Sequence, residues 1–328
     1  MKRKFYHPKG MSLWDMWFLK DKDGWDMFHL QNRISLASRD RHNGVSIGHA
    51  FSRDLIKWRE LKTALEPGIN GEWDDLSLWT GSAIKKDKKY YLFYTGRNSK
   101  KGDEWVQKIG VAISNNKINW KKHPKNPLLK SDGKYYSDYK KKNRLGKIPA
   151  FRDPDIFKDP KSKKYYMIFC ARDNNKKKEY NGCIGIAESD NLINWKIKKP
   201  LLSPGYYDEM ECPQMVIHKG KYYLFFLVPW EICYNPKWSE KNGAFAGLHC
   251  YVSDKLFGEY LPVNVNGIVI SNGRYIYGTR LLKKRGDVYN AIGWLNLDYE
   301  SNFIGKLSYP YEIVIKGMSV TKREIVPK

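Results

Sequence analysis

One phrase recurs along this chain at long, uneven intervals, and it constrains the fold more than any other feature. Ile47-Gly48-His49-Ala50-Phe51-Ser52, closing at Trp58, returns as Ile109-Gly110-Val111-Ala112-Ile113-Ser114, closing at Trp120. It returns again as Ile184-Gly185-Ile186-Ala187-Glu188-Ser189, closing at Trp195. A looser copy runs from Leu248 through Ser253-Asp254 to Tyr260. The closing tryptophans are 62 and 75 residues apart, so the unit is long and its loops vary. Short aromatic runs precede the later copies at 90–94, 165–169 and 222–226, and 288–295 reads as the same strand in a fifth, degenerate copy. Such runs suit a pleated, half-buried surface. Asp-Gly, Asp-Lys and Lys-Gly pairs ahead of them suit hairpin turns. No segment sustains a 3.6-residue period, so helix is expected to be scarce. Repeats of four short strands specify propeller blades. The expected fold is all-β: a five-bladed β-propeller with blades from about residues 5, 76, 148, 208 and 270, forming one domain over residues 1–328 with no C-terminal β-sandwich.

Composition narrows the class. A mean hydropathy of −0.66 and the lack of any apolar run long enough for a membrane helix fit a soluble chain with no membrane span. The start Met1-Lys2-Arg3-Lys4 is basic, but no apolar stretch follows, so a cytoplasmic location is expected. Five cysteines without a CxxC pair suggest neither disulfides nor zinc. The seven histidines show no ligand spacing, so no metal and no cofactor are expected. The net charge of +24 sits largely in lysine blocks within the turns. It reads as solvated loops, with an anionic partner or a phosphorylated sugar as the other readings. No nucleic-acid motif accompanies it, and a nucleic-acid partner is not expected.

Three acidic phrases fall near the blade starts: Leu13-Trp14-Asp15-Met16-Trp17, Phe151-Arg152-Asp153-Pro154 and Met210-Glu211-Cys212-Pro213. Carboxylates at equivalent positions of a repeat converge where the blades converge, at one mouth of the channel. Glycoside cleavage needs two carboxyl groups, one protonated towards the leaving oxygen and one ionised as nucleophile or base. A third carboxylate can hold hydroxyls and favour positive charge on the sugar. Asp74-Asp75 read as capping or solvated acids. Trp230, Tyr234 and Trp238 read as a loop anchor or as a platform for the leaving sugar.

In order and spacing, the Trp14-Asp15, Arg152-Asp153-Pro154 and Glu211-Cys212-Pro213 blocks resemble those of the β-fructosidase clan, glycoside hydrolase families 32 and 68. Trp79-Thr80-Gly81-Ser82 resembles the clan's block at the head of the second blade. The resemblance implies Asp15 as nucleophile on a fructosyl unit, Glu211 as acid/base, and Asp153 as transition-state stabiliser oriented by Arg152. It implies that Trp14, Trp79 and Ser82 shape the pocket, that Gln31 bounds it, and that Glu209 holds sugar or tunes Glu211. Trp14-Asp15-Met16 is nearer the levansucrase form, whereas Glu211-Cys212-Pro213 is nearer the invertase form. The expected function is retaining hydrolysis of β-fructofuranosidic bonds in sucrose or short fructans. The alternatives are a fructosyltransferase, an inverting arabinan- or xylan-type glycosidase with more widely spaced carboxyls, and an inactive carbohydrate-binding propeller. A phosphorylated sucrose is a further substrate reading.

Overall fold

The computed structural model describes residues 5–34, 41–243, 246–271, 273 and 275–323. Five antiparallel sheets follow one another along the chain. Blade one holds β1 (Met11–Asp21), β2 (Gly24–Arg33), β3 (Ser46–Ser52) and β4 (Arg59–Glu60). Blade two holds β5 (Ser77–Lys86), β6 (Lys89–Arg97), β7 (Lys108–Ser114) and β8 (Lys121–Lys122). Blade three holds β9 (Phe151–Lys158), β10 (Tyr165–Arg172), β11 (Gly182–Ser189) and β12 (Lys196–Ile197). Blade four holds β13 (Glu211–His218), β14 (Lys221–Val228), β15 (Gly247–Ser253) and β16 (Leu261–Pro262), with β17 (Ile268–Ile270) also paired to β15. Blade five holds β18 (Ile276–Arg285), β19 (Val288–Leu297), β21 (Tyr311–Lys316) and β22 (Ser319–Arg323), with β20 (Phe303–Leu307) on the free length of β19. The five-bladed propeller is as expected, with first strands within a few residues of the expected starts. The one α-helix among the described residues, α1 (Pro236–Asn242), is capped by the Asn235 side chain at its start and by Gly243 in the left-handed region at its end.

The aromatic runs are the second strands of their blades. Neighbouring blades cover both faces of these strands, so every residue of β10 is buried and β14 is buried from Tyr222 onward. A strand covered on both faces reads as a continuous apolar run rather than an alternating one. The five cysteines are all buried and unpaired, as small apolar side chains would be.

The repeated Ser…Trp phrase is a turn, not a site. Ser52 Oγ accepts the Leu55 N–H, Asp54 Oδ1 accepts the Ile56 and Lys57 N–H groups, and Trp58 Nε1 donates to the Leu55 carbonyl. The Ser114/Asn116/Trp120 and Ser189/Asn191/Trp195 turns repeat these bonds. Leu55, Lys117 and Leu192 carry positive φ at the matching position (64°, 65° and 71°). The chain thus reverses between the third and fourth strand by one recipe, and the recipe leaves a legible mark.

Each first strand also carries an extra residue at one level. The register slips at Trp14/Met16, Trp79/Gly81, Ile168/Cys170 (opposite Asp153-Pro154), Glu211/Gln214 and Tyr277/Arg280. Bulges re-aim side chains and bend the strand. Asp15, Asp153, Cys212 and Gly278 lie at these bulges with φ of 37°, 59°, 47° and 65°. The alignment corrects one expectation. Asp15 and Asp153 are equivalent, but Glu211 stands one residue earlier, level with Trp14, Trp79, Arg152 and Tyr277. The bulge position in blade four belongs to Cys212.

Candidate active site

Two layers of side chains follow from the bulges. The bulge residues form a floor. There the Cys212 N–H donates to Asp153 Oδ2 at 3.1 Å, and the Asp153 N–H donates to Thr95 Oγ1 at 3.0 Å. Thr80 Oγ1 donates to Asp15 Oδ2 at 2.8 Å, and Trp294 Nε1 donates to Asp15 Oδ1 at 3.2 Å. Both carboxylate oxygens of Asp15 are therefore held. The layer above contains Arg152 and Glu211. Arg152 Nη2 donates to Glu211 Oε1 at 2.7 Å and to Glu209 Oε2 at 3.0 Å, while its Nε lies 3.5 Å from Asp153 Oδ2. Tyr277 Oη donates to Glu211 Oε2 at 2.8 Å. Glu211 keeps 21% of its side chain open to solvent.

Arg152 therefore gathers three of the expected acidic residues, Asp153, Glu209 and Glu211. Arg172, itself buried, holds Glu209 from the other side at 3.3 Å and pairs with Asp208 at 3.0 Å. Arg280 donates to the carbonyls of Met16, Cys212 and Pro213, tying blade five to blades one and four. Arg41 stands over Phe303 at 3.7 Å and near Trp14 at 5.6 Å.

Burial pushes the Asp15 carboxyl above the ordinary range, and the charge of Glu211 pushes it further; Thr80, Arg280 and Trp294 pull against both. Burial likewise raises Glu211, with Asp153 and Glu209 adding to the rise and Arg152 and Tyr277 opposing it. Asp153 is raised to about 6, chiefly by burial. Crowded carboxyls shielded from water are what acid/base chemistry needs near neutral pH.

Several expected pocket residues have structural partners outside the carboxylate cluster. Gln31 Nε2 bonds Ser46 Oγ and Thr63 Oγ1, both at 3.3 Å, within blade one and its exit. Ser82 Oγ accepts the Ile156 N–H at 3.1 Å and so joins blade two to blade three. Trp79 Nε1 reaches the His42 carbonyl at 3.4 Å, and its ring lies 4.5 Å from the Arg97 guanidinium. None of these bonds goes to a carboxylate of the site. Asp74 is buried, accepts Tyr94 Oη at 2.8 Å and pairs with Lys122, whereas Asp75 caps the Gly71 and Ser99 amides. Tyr234 Oη bonds His249 Nε2, and Trp238 stacks on Tyr206 and Tyr234 as a loop anchor, while Trp230 is half exposed.

Thr80, Tyr277, Trp294 and Arg280 were not singled out from sequence. Thr80 lies inside the Trp79-Thr80-Gly81-Ser82 block, between two that were. The others belong to blade five, which carries no acidic phrase to mark it.

Gly278 is required twice over. Its φ of 65° suits glycine, and a Cβ there would fall 2.3 Å from Trp294 Nε1. Gly278→Ala is expected to push Trp294 off Asp15, with a loss of about 1–3 kcal/mol of stability. The accompanying fall in kcat is expected to be roughly tenfold or more for one lost hydrogen bond to a charged group. Thermal melts and initial rates check both parts.

Tyr277→Phe removes a bond that lowers the Glu211 pKa. The high-pH limb of the rate profile is therefore expected to move to higher pH, with kcat down on the order of 10-fold. A profile that stays in place would separate Glu211 from that limb.

A five-bladed propeller with carboxylates gathered at one mouth is what the resemblance to the β-fructosidase clan implies. Residues 17–324 match the family described as glycosyl hydrolases family 32, N-terminal domain, and the chain belongs to that family. It is 26% identical over 303 residues to a levansucrase of Zymomonas mobilis, covering 79% of this chain and 69% of that one. It is 30% identical over 265 residues to the levansucrase LscA of Pseudomonas savastanoi pv. glycinea, covering 71% and 60%. Among solved structures, an inulosucrase from Halalkalicoccus jeotgali bound to kestose superposes with a TM-score of 0.80 at 25% identity, over 98% of this chain and 90% of that one. A Bacillus subtilis levansucrase in complex with oligosaccharides shares the fold with a TM-score of 0.76 at 19% identity, over 97% and 86%.

Proposed function

We propose that the chain transfers β-fructofuranosyl units from sucrose or a short fructan, with retention, to a sugar acceptor or to water. The observation that carries this is the unequal setting of the two carboxyls. Asp15 is fixed through both oxygens on the floor, whereas Glu211 stands above it, partly open and bonded to one cation and one phenol. A fixed carboxylate below and a protonated, reachable carboxyl above is the pairing that retaining cleavage uses.

In the first step an Asp15 oxygen attacks the anomeric carbon. The glycosidic C–O bond breaks as Glu211 gives its proton to the leaving oxygen. In the second step an acceptor hydroxyl attacks the same carbon and passes its proton to Glu211, and the Asp15 ester bond breaks. Asp153 and Arg152 steady the charge and the hydroxyls of the sugar. The sequence motifs alone point first to hydrolysis. The names of the relatives, levansucrases and an inulosucrase, favour transfer over it.

The test is product balance at high sucrose concentration. Transfer predicts free glucose well in excess of free fructose, with longer saccharides appearing. Equal release points to hydrolysis. Release of arabinose or xylose from a pentosan, with sucrose untouched, would overturn the proposal.

A further inference from the structure

The chain's positive charge is not spread evenly over the propeller. Each blade's first and second strands are joined by a tight turn, at 20–24, 85–89, 158–164, 218–221 and 283–287. Contacts between blades bring these turns to one end, opposite the carboxylates. Asp21 in the first turn takes Lys85 and Tyr90 of blade two at 3.3 and 2.7 Å. Asp159 in the third turn takes Tyr222 of blade four at 2.6 Å, and Asp287 in the fifth pairs with Lys219 in the fourth at 2.7 Å. These five turns hold fifteen lysines and arginines against five aspartates. They thus supply ten of the +24 net charges from 26 residues.

The connections between second and third strands lie at the mouth end. Their described residues hold nine basic and eight acidic side chains. A general lysine bias would enrich both sets of exposed loops alike. One mouth-end connection, 123–150, is itself lysine-rich, and it serves below as a control.

Apolar side chains stand among the lysines at the basic end. Ile56, Phe257 and Met318 sit in turns between third and fourth strands of blades one, four and five, and are 50%, 57% and 49% exposed. A cleft of about 490 Å³ opens there between Lys198, Lys199, Leu201 and Phe257.

We propose that this end of the propeller docks on an anionic lipid bilayer, leaving the carboxylate mouth facing away from it. A flat anionic surface engages the turns of all five blades at once, whereas a linear polyanion crosses only some of them. The exposed Phe257, Met318 and Ile56 have a use at an acyl boundary and none against a phosphate chain. The cleft beside Phe257 offers the Lys199 ammonium to a phosphate headgroup, while the Lys198 ammonium beside it pairs with Glu188 at 2.7 Å.

The test is sedimentation of the whole chain with vesicles of phosphatidylcholine, with and without phosphatidylglycerol. Binding to the anionic vesicles alone, weakened by 0.5 M salt, is expected. Lys88, Lys89, Lys163 and Lys255 are exposed and, among the described residues, outside any ion pair. Changing all four to Gln is expected to weaken vesicle binding on the order of 100-fold or more. The mouth-end control Lys140→Gln/Lys141→Gln/Lys142→Gln is expected to change it little. Phe257→Ser tests the apolar contact separately, and an unchanged thermal melt shows each variant folded. Equal binding to neutral vesicles, no vesicle binding, or capture by long-chain polyphosphate in preference to vesicles would each overturn the proposal.

Discussion

Asp15→Asn is expected to lower kcat with sucrose by a factor on the order of 10⁴ or more, equivalent to about 5.5 kcal/mol of lost transition-state stabilisation. Asparagine keeps the size; with its Oδ1 accepting the Trp294 N–H and its NH2 donating to Thr80 Oγ1, which can accept as well as donate, the floor of the site persists. What is lost is the oxygen that forms the ester with the sugar. The same substitution is expected to raise the melting temperature at neutral pH. The Asp15 pKa is higher in the folded chain than in the unfolded one. Its charged form therefore costs stability above the folded pKa, and that cost vanishes below the ordinary carboxylate range. The difference in melting temperature between variant and parent is thus expected to grow as pH rises from strongly acidic to neutral. Unchanged turnover would remove Asp15 from the chemistry. A lower melting temperature at neutral pH would mean the residue is structural.

Arg152→Ala is expected to be the most disruptive single change in the site. It strips the shared cation from Glu209, Glu211 and Asp153 at once. Removing one partner of a buried ion pair costs about 3–5 kcal/mol, because the remaining charges stay buried. Arg152 lowers the pKa values of both Glu211 and Asp153. Without it both rise, so the variant is expected to lose stability as pH rises through those values and to recover it in acid. Turnover is expected to fall roughly 10³-fold, as two carboxyls lose their ordering. Arg152→Lys separates charge from shape. An ammonium can neutralise one carboxylate but cannot span three, so part of the stability and little of the turnover is expected to return. Thermal melts across pH, paired with initial rates, check both halves.

The fold was open to reading because its turns repeat chemically. The Ser-x-Asp/Asn turn with its closing tryptophan needs the same side chains each time, so its copies survive large differences in loop length. The buried second strands add an aromatic mark to each blade. The site was only partly legible, for a reason seated in the bulges. Asp15, Asp153 and Glu211 stood out as acids near strand starts, but bulge register cannot be read from residue types. Glu211 was therefore placed level with Asp15, when Cys212 is its true counterpart. The resemblance assigns Gln31 and Ser82 to the pocket; in the structure Gln31 Nε2 bonds Ser46 and Thr63 and Ser82 Oγ accepts the Ile156 N–H, contacts that also hold strands together. Tyr277 and Trp294 were missed because blade five completes the site with a phenol and an indole. Those groups are equally at home in a propeller core, and only their hydrogen bonds to Glu211 and Asp15 distinguish them.

The most direct test of the central claim is to trap the covalent intermediate. Glu211→Gln, mixed with a fructosyl donor whose leaving group needs no proton, lacks the base that completes the second step. Peptide mapping by mass spectrometry after an acid quench is expected to show one hexosyl unit on the peptide carrying Asp15. A product of inverted configuration, with no adduct on that peptide, would contradict the account.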